Sequence, residues 1–290
     1  MPALPRPGSI IVGLDGSKHA QEALHWAADE ASRLQAPLHL VHAVDLDWLV
    51  AAAAISEVSA DSSTDEVLEA ACRSLGVEYP DLRISTQVTT GSPAHDLVRL
   101  SFGASELVVG GHGTSPSHVP LGSVPSALAS HAACPVVVVR PYAEEGQARR
   151  PVVVGVDGSA VSASAIDFAI DHASRLGTAL VVLHAWWLEF VDGVIVTTEN
   201  SPEWVRARER IDLTVAESLA GRRERYPDVE VLTRTVSARP AAALVEASHH
   251  ASLVVVGSRG RGGFEGLLLG SVSREVLMQA AAPVAVVRPS

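Results

Sequence analysis

The chain has 290 residues, a length that favours about two domains over one. Hydrophobic residues make up 47% and charged residues 19%, which supplies packed cores and excludes a disordered chain. The formal net charge of −11 excludes a general basic surface for nucleic acid.

The N-terminal stretch "MPALPRPGS" lacks the long apolar core of a signal peptide. The apolar run Trp48–Ile55 is far too short to span a bilayer. The expectation is a soluble cytoplasmic protein with no membrane partner.

The first predicted strand is Ile10–Leu14, inside "IIVGLDGS". Ser17 then suits a helix N-cap, and Ala20, Ala23, Leu24, Ala27, Ala31 and Leu34 keep helical spacing. Further strands are predicted at Leu38–Ala43, Arg83–Thr89, Leu107–Gly110 and Val136–Arg140. They are short, continuous and rich in Val, Ile and Leu, as expected when both faces of a sheet are covered. The polar stretch Tyr142–Arg150 reads as a linker, which places domains at 1–145 and 146–290.

The second half repeats the first. "IIVGLDGS" recurs as "VVVGVDGS" (Val152–Ser159) and "LVHA" as "VLHA" (Val182–Ala185), both 142 residues later. "LGSV" recurs at Leu269–Val272 and "CPVVVVRP" as "APVAVVRP" (Ala282–Pro289), both 148 residues later. Order is kept, so the domain is duplicated. Strands are predicted at Val152–Val156, Ala179–Ala185, Glu230–Thr235, Leu253–Gly257 and Val284–Arg288, with a helix carrying Ala165, Ile166, Ala169, Ile170, Ala173 and Leu176. Alternating strands and helices imply right-handed crossovers and an α/β fold of two doubly wound parallel sheets.

In such sheets ligands bind beyond the carboxyl ends of the strands, at the switch point. Two strand ends carry unusual residues in each copy. The first strand ends in Asp15-Gly16-Ser17 and Asp157-Gly158-Ser159. The fourth runs into a glycine loop. In the second copy this is "GSRGRGGFEGLLLGS", where Gly257 and Gly260 spare a β-carbon, while Gly270 and Ser271 open a helix whose N–H groups suit an anion. Arg259 and Arg261 add charge. The loop has no lysine and fits neither the P-loop nor the dinucleotide GxGxxG spacing. A plain turn and a capping aspartate are the competing readings; the repetition of both features at one topological position favours a site.

These residues resemble the universal stress protein family. The resemblance rests on "VVVGVDGS", the strand-two "LHA", the terminal "APVAVVRP" and the motif G-x2-G-x9-G-[ST], matched by Gly257, Gly260, Gly270 and Ser271. It covers nearly the whole chain and implies a tandem-domain bacterial member. It implies five-stranded sheets of order 3-2-1-4-5, adenine nucleotide α-hydrolase-like, and ATP as ligand; Asp15 and Asp157 are candidates to hold either a divalent ion such as Mg2+ with the phosphates, or the ribose. By this resemblance Gly155, Val156 and Asp157 lie near nucleoside and phosphates, Ala185 borders adenine, Val256 and Gly257 line the nucleoside, and Gly260, Gly270, Ser271, Val272 and Ser273 hold the phosphates. The matching first-copy positions are Gly13, Leu14, Asp15, Ala43, Val109, Gly110, Gly113, Gly122, Ser123 and Val124.

The first copy departs from the motif. Its loop is one residue shorter, carries Pro116 and Pro120, and has Pro125 where the second has Ser273. It has no arginine, leaving His112 and His118 as its potential cations. Residues 1–145 carry a net charge of −10 and residues 146–290 a net charge of −1. Weaker ATP binding is expected at the first site.

No catalytic base or nucleophile stands beside the phosphate loop. The expected function is an ATP-binding stress-response sensor or regulator. The alternatives are a slow ATP hydrolase or nucleotidyl-transfer enzyme, and a partner-binding protein without nucleotide. The twelve histidines show no metal-ligand pattern, and Cys72 and Cys134 read as ordinary small residues. For Trp186 and Trp187, packing under the long loop that runs to Trp204 is preferred over flanking adenine. The segments Asp45–Thr64 and Trp186–Ser201 are candidate lids or interaction surfaces. By resemblance the last strands of the two copies pair into an internal pseudo-dimer, and the whole chain is expected to form a homodimer.

Overall fold

A computed structural model describes residues 5–44, 60–113, 121–140, 150–186, 190–191, 194–195, 202–260 and 268–289. The chain divides into two compact units, Met1–Pro141 and Tyr142–Ser290. In the first unit the elements are β1 (Ile10–Leu14), α1 (Lys18–Leu34), β2 (Leu38–Val44), α2 (Ala60–Glu78), β3 (Ile84–Thr90), α3 (Pro93–Leu100), β4 (Glu106–Gly110), α4 (Ser123–His131) and β5 (Val136–Val139). The second unit has β6 (Val152–Gly155), α5 (Ala160–Leu176), β7 (Leu180–Trp186), a small antiparallel pair β8 (Phe190–Val191) and β9 (Val194–Ile195), then α6 (Pro202–Leu219) and α7 (Arg222–Arg225). It closes with β10 (Val231–Ser237), α8 (Pro240–Ser248), β11 (Leu253–Gly257), α9 (Ser271–Gln279) and β12 (Val284–Val287).

Each unit holds a parallel sheet in the expected order 3-2-1-4-5. In the first, β1 pairs with β2 and β4, β2 with β3, and β4 with β5. In the second, β6 pairs with β7 and β11, β7 with β10, and β11 with β12. The first and fourth strands are therefore neighbours, and the order reverses between them. This is the switch point at which a crevice opens. Ile10, Ile11 and Val12 are buried, as are Val152, Val153 and Val154, because helices cover both faces.

The predicted N-cap is present in both copies. Ser17 Oγ accepts from the Ala20 N–H at 3.1 Å, and Ser159 Oγ accepts from the Ser162 N–H at 3.1 Å. The same two helices end in left-handed residues, Gln35 at φ 50° and Gly177 at φ 61°. The antiparallel pair and the start of α2 fall where the two copies differ most, and α6 begins directly after that stretch; no periodicity marked them. Much of both segments, with Trp187, lies outside the described residues. Trp186 is buried, with its ring 6.2 Å from that of Trp204 on α6, so it packs inward.

A polar cluster sits inside the first sheet. His39 on β2 is fully buried, with Nδ1 2.9 Å from Ser85 Oγ and Nε2 3.1 Å from Gln87 Oε1, both on β3. Val181 fills the matching place in the second copy. Burial disfavours the imidazolium more than the Gln87 bond favours it, so His39 titrates below the usual 6.5. The unfolded chain then binds this proton at a higher pH than the folded one, and stability drops as pH falls through 6.5 toward the folded value. Equilibrium denaturation of wild type and His39→Val from about pH 7.5 to about pH 5.5 should show a smaller acid loss in the variant. Identical pH profiles would contradict this role.

A glycine constraint operates at the end of β4. A Cβ on Gly110 would lie 2.7–2.8 Å from the carbonyl carbon, Cβ and oxygen of His19, so α1 leaves no space for a side chain. Gly110→Ala should destabilise the first unit by about 1–3 kcal/mol through overpacking, read from its chemical denaturation midpoint.

Candidate functional site

The crevice begins with the strand-one aspartate. Gly16 and Gly158 take φ values of 78° and 75°, which turn the chain sharply after Asp15 and Asp157. Asp15 Oδ1 accepts from the Ser17 N–H at 3.0 Å, and Asp157 Oδ1 from the Ser159 N–H at 2.9 Å. This short-range bond fixes each carboxylate in the turn. Its second oxygen rests against the fourth-strand loop. A Cβ on Gly113 would come within 2.6 Å of Asp15 Oδ2, and Gly260 meets Asp157 Oδ2 in the same way. The sequence separates each pair by about a hundred residues, yet the fold presses them together in both copies.

The glycine loop is closed by one backbone bond. The Gly122 N–H donates to Gly111 O at 2.9 Å, and the Gly270 N–H donates to Ser258 O at 2.7 Å. This brings the start of α4 or α9 to the end of the fourth strand. Gly122 and Gly270 are the N-caps, and neither helix has a side-chain cap bond. The first N–H groups of α9, on Ser271, Val272 and Ser273, are left to face an incoming acceptor. In α4 Ser123 and Val124 offer two, because Pro125 has none. A Cβ on Gly270 would meet nothing closer than 3.5 Å, and on Gly122 nothing closer than 3.4 Å. Packing does not require glycine at these caps, and a serine there would occupy the N–H groups itself.

The remaining expected residues divide. Ala43 and Ala185 are the last but one residues of β2 and β7, at the carboxyl ends of those strands. Gly13 and Gly155 serve packing: their missing side chains make room for Leu97 and Leu244. Gly110 and Gly257 were expected to line the nucleoside. Their bare faces press on α1 and α5, at His19 and Val161. None of the motif glycines has a positive φ; at Gly110, Gly113, Gly257 and Gly260 space rather than backbone freedom explains the residue. Ser273 was expected to hold phosphate. Its hydroxyl is buried and donates to Gly257 O at 2.6 Å, tying α9 to β11, which leaves its backbone N–H for a ligand. Arg261, Pro116, His118 and Pro120 lie outside the described residues.

Two pairs of residues escaped the sequence reading. The His42 Nδ1–H donates to Leu14 O at 2.7 Å, and the His184 Nδ1–H to Val156 O at 2.8 Å. A carbonyl can only accept, so the proton sits on Nδ1. Arg140 and Arg288 follow the last strand of each copy. The Arg140 side chain lies over Gly111, with Cγ 3.0 Å and Nε 3.2 Å from where a Cβ would stand. The first loop is therefore not without arginine: a strand outside the motif supplies it. The signal was available, since "LHA" or "VHA" and "VVRP" occur at equivalent places in both copies.

These basic side chains crowd one another. His19 lies beside His112, with ring centroids 5.3 Å apart at 86°. Burial, then His112 and Arg140, hold His19 below its usual range, opposed by Asp15 and Glu22. Burial lowers Arg140, and burial together with Arg259 lowers Arg288. Both arginines stay charged at any physiological pH. Each crevice thus joins a helix start, a basic edge and one carboxylate.

Other centres do not compete with it. Among the described residues no cluster of histidine, cysteine, aspartate and glutamate could hold a metal ion. Among them, no helix is long and apolar enough to cross a membrane. Cys134 is buried, its thiol pushed up to about 12 by burial and then by Glu106. A cavity of about 500 Å3 lies beside α6 and β10, lined by Arg208, Asp212 and Thr235, on elements other than those that carry the loops.

Comparison with known proteins matches the same organisation. The model of the universal stress protein family fits residues 8–140 and again 148–288. A universal stress protein of Mycolicibacterium smegmatis is 39% identical over 290 residues, covering 97% of each chain. One from Mycobacterium tuberculosis is 38% identical over 302 residues, covering 97% of this chain and 96% of its own. The crystal structure of a universal stress protein from Archaeoglobus fulgidus shares the fold, with a TM-score of 0.64 at 19% identity over 98% of this chain and 100% of its own. Two family matches, each spanning one α/β unit, establish that the chain belongs to the universal stress protein family and carries its domain twice.

Proposed function

We propose that each domain binds one adenine nucleotide, with ATP the preferred ligand, and that the chain acts as a nucleotide-dependent regulator in stress response. The observation that carries this reading is the uncapped helix start closed against the glycine loop. Glycine at position 270 leaves three N–H groups open where packing would tolerate a side chain. A phosphate oxygen is the acceptor that such a nest favours.

The carboxylate argues for a nucleotide rather than free phosphate. Asp157 cannot approach a phosphate oxygen without repulsion. It can accept from a sugar hydroxyl, and it stands across the loop from the helix start. Phosphate on one side and ribose on the other leave the small Ala185 to border the base. Mg2+ would neutralise the polyphosphate while bound to it, and the described residues form no separate metal site. Among the described residues no general base stands beside the helix start, which favours binding and release over hydrolysis. Cytoplasmic residence and homodimerisation belong to the same proposal.

Gly270→Val should place a branched side chain over the open N–H groups. With saturating ATP, isothermal titration should show one nucleotide fewer per chain than wild type, the first domain remaining loaded. Unchanged stoichiometry would remove the second site from the proposal. ATP should also raise the wild-type melting temperature, while inorganic phosphate at equal concentration, which lacks the ribose, should do so less. Equal shifts from the two would count against the ribose assignment.

A further inference from the structure

The two crevices use different cations at equivalent positions. In the second, Val161 begins the helix and Arg259 stands in the loop, with Arg288 behind it. In the first, these places are taken by His19, His112 and Arg140. His19 is packed between the end of β4 and the His112 ring. Its Nδ1 is buried and has no hydrogen-bond partner among the described residues. The charged and titratable groups that act on it come from every neighbouring element: His112 from the loop, Arg140 from the end of β5, Asp15 from the end of β1 and Glu22 from its own helix.

The chemistry follows from this crowding. Without an anion, a proton on His19 would add a second or third positive charge to a partly dry cluster. A bound polyphosphate reverses the sign of the local field. Protonation then becomes favourable, and each favours the other to the same degree. Arginine in the second crevice is charged throughout, so it has no proton to gain. We propose, resting on the nucleotide reading above, that the first site is a proton-coupled phosphate site. There His19 and His112 with Arg140 supply the charge that Arg259 and Arg288 supply in the second. Acidification loads the first domain, while the second follows only ATP's own titration.

Isothermal titration of the full-length chain with ATP tests this. Gly270→Val isolates the first site and Gly122→Val isolates the second. Titrations at about pH 8 and about pH 6, in buffers of different ionisation enthalpy, count the protons taken up on binding. The first site should tighten about tenfold on acidification, the effect of one unit of pKa shift, with net proton uptake. The second site supplies the baseline for ATP's own titration. Adding His19→Val and His112→Arg to Gly270→Val should bring the pH response down to that baseline. In wild type, at a fixed subsaturating ATP concentration, the number of nucleotides bound should rise from about one toward two per chain on acidification. This readout stands even if a variant fails to fold. Equal pH responses at the two sites, or a first-site response that survives the histidine replacements, would overturn the proposal while leaving the nucleotide reading intact. A first site that binds no ATP even at the lower pH, beside a second that does, would overturn it as well. Absence of ATP binding at both sites would instead overturn the nucleotide reading.

Discussion

The contact between a strand-one carboxylate and a bare loop glycine holds the crevice together. Asp15 on Gly113, and Asp157 on Gly260, join two loops that are distant in sequence. The carboxylate is fixed from its own side by the N–H of Ser17 or Ser159. A side chain on the glycine would displace it and open the crevice. The glycine loop can then close its single backbone bond and bring a helix start to the same place. Helix dipole, open N–H groups and carboxylate are thereby set at fixed positions before any ligand arrives.

Duplication preserved this frame and varied its charge. Both copies keep the aspartate, the loop glycines, the cap glycine and the histidine bonded to the strand-one carbonyl. The first copy loses one N–H to Pro125 and replaces arginine by histidine at position 112. Its half of the chain also carries nearly all of the net negative charge. A ligand with several phosphate charges would meet two differently tuned sites in one protein. The same difference extends to the core, where His39, Ser85 and Gln87 form a polar cluster opposite Val181 in the other copy.

Much of the fold could be read from residue order. Continuous apolar runs marked eight of the ten strands in the two parallel sheets, because strands buried on both faces carry little polar alternation; the outer strands β3 and β10 mix polar with apolar residues and are partly exposed. β1 and β11 have the bounds the sequence predicted, and Ser17 caps where expected. The antiparallel pair at Phe190–Ile195 was not legible, since two-residue strands leave no periodicity. The site was legible as a motif but less so as chemistry. Gly257 and Ser273 belong to the motif, yet the first makes room for Val161 and the second spends its hydroxyl on the first. Arg140 and Arg288 sit outside the motif and reach the loop only through the sheet order, which places the last strand beside the fourth.

The most direct measurement is a crystal structure of the chain grown with ATP. The polyphosphate should accept from the N–H groups of Ser271, Val272 and Ser273, with a ribose hydroxyl on Asp157 and the base beside Ala185. Nucleotide bound away from the start of α9, or crevices free of it at saturating ATP, would contradict the central claim.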